Sequence, residues 1–183
     1  METLLKKLTM KNKKEALKIL VDSLYEDEYY RSSPKQDLYD LYDEIYDISV
    51  QNGSIIAICE KTTEKLCGVA VVIDIDKIKD DVETFDFVLG VENEEFRDGV
   101  EKFNEIMLKD NSSTYLYGVA VDSAYRGQGF GIKLLQGSFD ILVNKTVYAD
   151  VTNDSILEFY KKIGFEIIPV ANMFIIKKEC KKS

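Results

Sequence analysis

Histidine is missing from all 183 residues. That removes the side chain most often used as a base near neutral pH, so proton transfer must come from Tyr, Asp, Glu, Lys, Cys, water or the backbone. Cysteine is scarce: Cys59, Cys67 and Cys180 are odd in number and lack metal-ligand spacing. The expectation is therefore reduced thiols, no metal and a cytoplasmic location. No window approaches the ~20 apolar residues of a membrane span. The opening M-E-T-L-L-K-K has no signal-peptide core, so no membrane partner is expected. Surplus positive charge is also lacking. A net charge of −9 argues against nucleic acid and mildly favours a cationic partner.

What is present reads as an ordinary globular chain, 45% apolar and 31% charged. Residues 1–183 suit one domain with its own core, without repeat or linker. Leu4, Leu5 and Leu8 suggest a first strand. Ala16, Leu17, Leu20, Val21 and Leu24 form one face of a helix over Lys13–Tyr25. Ser33-Pro34-Lys35-Gln36 reads as a second helix start, with Ser33 as cap, and Leu38, Leu41, Tyr42, Ile45 and Ile48 as the buried face. Between Asp22 and Asp47 lie nine acids and six tyrosines: Tyr25, Tyr29, Tyr30, Tyr39, Tyr42 and Tyr46. Either the acids solvate an outer face while the tyrosines pack inward, or the two together form a recess for an amine.

Ser54–Glu60 and Leu66–Ile73 read as a hairpin placing Cys59 opposite Cys67 as buried thiols. Residues 76–113 are too long for a simple loop and read as a helical insertion, with Phe96, Val100, Phe103 and Met107 at helical spacing. It could wall an acceptor site or form an oligomer contact. Thr146–Thr152 alternates like a strand. A short helix ending at Gly164 follows, then a strand pair turned at Pro169.

The chain is organised around Tyr115–Gly131, Y-L-Y-G-V-A-V-D-S-A-Y-R-G-Q-G-F-G. A β-rich run passes into alternating glycines, and Ile132, Leu135, Phe139 and Leu142 then recur at helical spacing. Strand, glycine turn and helix start make an anion cradle, because the first N–H groups of a helix lack partners and glycine lets a phosphate approach them. Arg126 adds positive charge. A Walker loop fails, because Ile132 stands where lysine is needed. A dinucleotide fingerprint fails, because its third glycine would fall at Ile132 or Leu134.

R-G-Q-G-F-G resembles motif A of the GCN5-related N-acetyltransferase (GNAT) superfamily, [QR]-x-x-G-x-[GA]. Asn153 to Phe165, N-x-x-x-x-x-F-Y-x-K-x-G-F, resembles its motif B, and the two occur in the expected order. Ile156 departs from the smaller residue common in relatives. The resemblance implies an α/β (α+β) fold with a mixed, mostly antiparallel central sheet flanked by helices, the helical insertion falling between the third and fourth strands. It implies acetyl-CoA as acyl-donor substrate and a primary amine of a small molecule or peptide as acceptor. The backbone of Val119, Ala120 and Val121 would pair with the pantetheine arm. Arg126, Gly127, Gln128, Gly129, Phe130 and Gly131 would hold the pyrophosphate, and Asn153 would bond the arm. Tyr160 would face the sulfur as catalytic acid.

The base stays open among Glu28, Asp150 and acids of the insertion. A non-catalytic acyl-CoA-binding module of the same fold is the competing reading. The acceptor and a homodimer are likewise left open.

Overall fold

The computed structural model describes residues 2–26, 28–90, 96–151 and 153–181, apart from the side chains of Glu28, Tyr29 and Ser155. Thr152, the expected end of a strand, and the side chain of Glu28, a candidate base, fall outside these. The described strands are β1 (Thr3–Lys7), β2 (Gly53–Glu60), β3 (Leu66–Asp74), β4 (Ser113–Val121), β5 (Thr146–Val151), β6 (Glu166–Val170) and β7 (Met173–Glu179). They follow the order β1-β2-β3-β4-β5-β7-β6 in a mixed, mostly antiparallel sheet. The chain forms two compact units, Met1–Ile73 with Tyr117–Ile141, and Asp74–Leu116 with Leu142–Ser183. Strand β4 contributes residues to both.

In the first unit, β1, β2 and β3 form an antiparallel meander. Helix α1 (Lys13–Leu24) buries Ala16, Leu17, Leu20 and Val21, as its periodicity predicts, together with Ile19. A short helix, α2 (Glu28–Arg31), has no counterpart in the sequence reading. Helix α3 (Lys35–Asn52) starts one residue later than expected: Pro34 stands at the cap and its carbonyl accepts the Asp37 N–H at 3.0 Å. Ser33 makes no cap, and Gln36 reaches forward to Asp40, four residues along its own face, at 2.7 Å. The buried face of α3 is Leu38, Tyr42, Ile45, Tyr46 and Ser49, not Leu41 and Ile48. The rotation is set by Tyr46, fully buried, whose hydroxyl donates to the Thr9 carbonyl at 2.9 Å.

The β2–β3 register also differs from expectation. A shift between Ile58 and Cys59 places Cys59 opposite Leu66, so Cys67 is not its partner. The cause is the turn. Glu60 N–H bonds the Lys65 carbonyl at 3.0 Å and Glu64 takes a φ of 57°, which closes the loop around Glu60 and Lys65. Both thiols are buried and free, and burial pushes Cys59 up to about 11.

In the second unit, β4 pairs in parallel with β5 through Ser113–Thr146, Thr114–Val147 and Tyr115–Tyr148. Antiparallel β7 follows, then β6. Pro169 does not make the turn; it lies within β6 opposite Phe174, and the turn falls at Ala171, with φ 44°. An end strand tolerates proline because one side of its backbone needs no N–H donor. The segment between β3 and β4 holds α4 (Ile75–Ile78), α5 (Val82–Leu89) and α6 (Arg97–Leu108). The Asp81 carboxylate caps α5 by accepting the Thr84 N–H at 3.2 Å. Helix α6 lies close on β7, since a Cβ at Gly99 would stand 2.4 Å from Met173 Sδ. Its Phe103 and Met107 are buried.

Asp110 follows α6 and closes the start of β4 onto β5. It accepts from the Ser112 N–H at 2.9 Å, the Ser112 hydroxyl at 2.6 Å and the Tyr148 hydroxyl at 2.9 Å. Burial alone would raise its pKa, but these donors win and hold the carboxyl at about 2. The folded pKa lies below the unfolded ~3.9, so the stabilisation is full above that value and is lost as pH falls towards 2. Asp110→Asn should lower Tm by ~3–8 °C at neutral pH, and the gap should close as the pH is taken down to 2. Thermal melts across that range test the assignment; a constant gap contradicts it.

Candidate active site

The first unit carries the loop that joins β4 to helix α7 (Phe130–Ile141). Leaving β4, Asp122 donates its N–H to the Cys67 carbonyl at 2.9 Å, and its carboxylate caps a 3₁₀ turn over Ser123–Tyr125 by accepting the Ala124 N–H at 2.9 Å. Tyr125 anchors that turn: its hydroxyl donates to Glu60 at 2.7 Å and its ring meets Phe130 at 5.5 Å. Gly127 and Gly129 then take φ of 73° and 79°. These values belong to the left-handed region, where a side chain costs ~1–2 kcal/mol. A Cβ at either would meet no atom of the protein within 4 Å. The space beside both glycines is therefore open. Gln128 turns its amide back to the Ala124 carbonyl at 3.2 Å, and Lys133 N–H already bonds Gly129 at 3.1 Å. Ahead of Lys133, the N–H groups opening α7 have no intrahelical acceptor.

Phe130 sends its ring into the core, with Leu134, Leu135, Ser138 and Phe139 behind it, so only its backbone can serve the loop. Gly131 lies within the helix. Val119 and Val121 are half-buried and Ala120 is buried on β4, where a Cβ on Gly68 would come within 2.9 Å of the Ala120 carbonyl. Arg126 does not project a free charge. Its guanidinium pairs with Glu26 and donates to Ser23 at 3.0 Å and to the Val121 carbonyl at 3.1 Å.

The second unit carries Asp150, Asn153 and Tyr160. Helix α8 (Leu157–Lys162) ends in a Schellman closure: Gly164 N–H bonds Lys161 at 2.9 Å, Phe165 N–H bonds Tyr160 at 3.1 Å, and Gly164 has φ 87°. This fixes the Tyr160 ring between Phe159 and Phe165, with centroids 5.3 and 5.4 Å away, both edge-on. Burial, reinforced by the charge of Asp150, pushes Tyr160 up to about 12. The phenol thus keeps its proton throughout the neutral range. Asn153 and Ile156 are exposed at the start of the same segment.

Several acids of the N-terminal span are engaged by cations of the chain. Lys13 lies 2.9 Å from Asp43 and 2.7 Å from Asp47, while Lys18 and Lys35 both pair with Asp22. Tyr42 packs edge-on against Tyr117 at 5.6 Å and, with Tyr46, is buried. Two pairings had no signal in the sequence: Arg126 with Glu26, and the Tyr115 hydroxyl donating to Asp150 at 2.6 Å. Each joins residues far apart in the chain, and only the folded register brings them together. Among the described residues there is no cluster of three or more potential metal ligands.

Comparison with known proteins gives this geometry a family. The acetyltransferase (GNAT) family model matches residues 19–165. The N-alpha-acetyltransferase 30 of Schizosaccharomyces pombe is 29% identical over 86 residues, 44% of this chain and 57% of that protein. The chain thus matches little more than half the length of that relative. Among solved structures, mosquito arylalkylamine N-acetyltransferase like 5b is similar in fold, with TM-score 0.66, 18% identity and coverage of 97% of this chain and 99% of that one. The paia N-acetyltransferase of Thermoplasma acidophilum, solved with coenzyme A, has TM-score 0.62, 15% identity and coverage of 98% and 99%. With the family match spanning most of its length, the chain belongs to the acetyltransferase (GNAT) family.

Proposed function

We propose that the chain is an acetyl-CoA-dependent N-acetyltransferase in which a primary amine of a small molecule or peptide attacks the thioester directly, donor and acceptor being bound together. The observation that carries this reading is the loop at Gly127 and Gly129. Its left-handed backbone opens onto free space and runs straight into α7, which is what a pyrophosphate requires of its host. In this reading Arg126, Gly127, Gln128, Gly129, Phe130 and Gly131 hold the pyrophosphate mainly through backbone N–H groups. The backbone of Val119, Ala120 and Val121 takes the pantetheine arm as an added strand, and Asn153 bonds its amides. A backbone N–H near Val119 stabilises the oxyanion. Tyr160 gives its proton to the departing thiolate; the phenol, held at about 12, carries that proton throughout the neutral range.

A relative solved with coenzyme A supports the donor, and three relatives named as N-acetyltransferases, that one included, support an amine acceptor. The broad test is a screen of amines with acetyl-CoA, read as free thiol. Binding of acetyl-CoA without thiol release from any amine would favour a non-catalytic acyl-CoA module instead.

Two variants probe separate parts of the reading. Gly129→Val places a branched side chain in the open space beside the loop and in a strained conformation, so calorimetry should find acetyl-CoA binding lost while circular dichroism finds the fold kept. Unchanged affinity in the folded variant removes the loop from the donor site. Tyr160→Phe keeps the ring between Phe159 and Phe165 and loses only the hydroxyl. Turnover should fall by roughly 10- to 10⁴-fold with donor affinity unchanged; full turnover, with chemistry rate-limiting, removes Tyr160 as the acid.

A further inference from the structure

Three carboxylates of the second unit lie on or beside β4 and β5, and their hydrogen bonding sets one apart. Asp110 has both oxygens occupied, Oδ1 by Ser112 and Oδ2 by Tyr148. Asp74 is likewise committed, accepting from Thr114 at 2.9 Å and lying 3.4 Å from both Lys77 and Lys145. Asp150 differs. Its Oδ1 accepts the Tyr115 hydroxyl at 2.6 Å, and Oδ2 takes no hydrogen bond among the described residues.

Register explains how Tyr115 and Asp150 meet. Tyr115 sits beside Tyr148 in the parallel ladder, and Asp150, two residues on, projects from the same face as Tyr148. The Tyr115 ring is itself fixed, edge-on to Phe103 of α6 at 5.4 Å. Asp150 is therefore a half-buried carboxylate aimed by a rigid phenol, with one oxygen spare. It also stands near enough to Tyr160 for its charge to help keep that phenol protonated.

Resting on the acetyl-transfer reading, we propose that Asp150, positioned by Tyr115, is the general base that takes the proton from the acceptor amine. The nitrogen lone pair forms the bond to the thioester carbon as the carbonyl π pair moves to oxygen. The nitrogen, now positive, gives an N–H proton to Asp150 Oδ2. The oxyanion then re-forms the carbonyl, the C–S bond breaks, and sulfur takes the Tyr160 proton. This leaves a carboxylic acid beside a phenolate. Because a carboxylic acid is much the stronger acid, the proton passes to Tyr160 and restores both groups. The net transfer is one acetyl group to nitrogen and one proton from nitrogen to sulfur.

The test uses the full chain with acetyl-CoA and an amine that supports thiol release by the unaltered protein. Asp150→Asn preserves the acceptor atom for Tyr115 but cannot take a proton. It should lower kcat by about 10²- to 10⁴-fold, with calorimetric acetyl-CoA affinity and Tm unchanged. Tyr115→Phe should lower kcat by a smaller factor at constant donor affinity. The double variant should be no slower than Asp150→Asn alone, because the tyrosine acts through the carboxylate. Losses that multiply in the double variant, or normal turnover in Asp150→Asn, overturn the assignment while the acetyl-transfer reading stands. If the unaltered protein neither binds acetyl-CoA nor releases thiol with any amine, that reading fails first and the assignment with it.

Discussion

The first unit depends on a backbone constraint: the chain must turn from the end of β4 into α7 within the eight residues 122–129, the last four of them following the 3₁₀ turn. Two residues in the left-handed region achieve this, and only glycine enters that region without cost. The neighbouring contacts keep the irregularity local. Asp122 fastens the end of β4 to Cys67, Tyr125 ties the turn to Glu60, and Phe130 drives the first residue of α7 into the core. The glycines are thus clamped on both sides, and under the proposed reading a preorganised set of N–H donors loses less entropy on binding than a mobile one.

The lack of histidine throws any acid–base work onto phenols and carboxylates, whose ordinary pKa values lie on opposite sides of neutrality. Placement then decides function. Tyr160 is half-buried beside a negative charge, so its phenol keeps its proton. Asp110 is wrapped in donors, so it stays an anion with no oxygen left for chemistry. Asp150 has one donor and one spare oxygen. The same residue type is fully engaged at one position and keeps an oxygen spare at another, and the number of its hydrogen bonds separates the two.

Much of the fold was readable in the chain, and the reason is local. Most of the α1 face, the glycine turn and the Gly164 stop depend on residues within a few positions of one another and appear where the spacing put them, whereas α7 opens earlier than its periodicity suggested, at Phe130, and leaves Ile132 exposed. What was misread depends on distant neighbours. Cys59 faces Leu66 because of the conformation at Glu64, not strand length. The α3 face turned towards Tyr46 because Thr9, far away in sequence, offers a carbonyl. Pro169 reads as a turn until β6 proves to be the end strand. The candidate site divides the same way. The glycine loop and Tyr160 were legible as motifs, whereas Tyr115 and Asp150, 35 positions apart, acquire a relation only through the parallel register.

The acid-rich span at residues 22–47 shows why charge counting is a weak guide to an acceptor. Asp22 is shared by Lys18 and Lys35, Asp43 and Asp47 by Lys13, and Glu26 by Arg126. Among the described residues, four of these acids therefore already face a cation from this chain. A cationic acceptor drawn to them would have to displace a tethered lysine or arginine, and an exposed pair of that kind is worth only ~0–1 kcal/mol. The barrier to exchange is thus low, but so is the gain, since the incoming charge replaces one of the same sign. Discrimination between acceptors by this surface is consequently limited to what the remaining acids add, screened within ~10 Å at 0.1 M salt. Under the proposed reading, shape and the placement of the attacking nitrogen are left as the stronger determinants of acceptor choice.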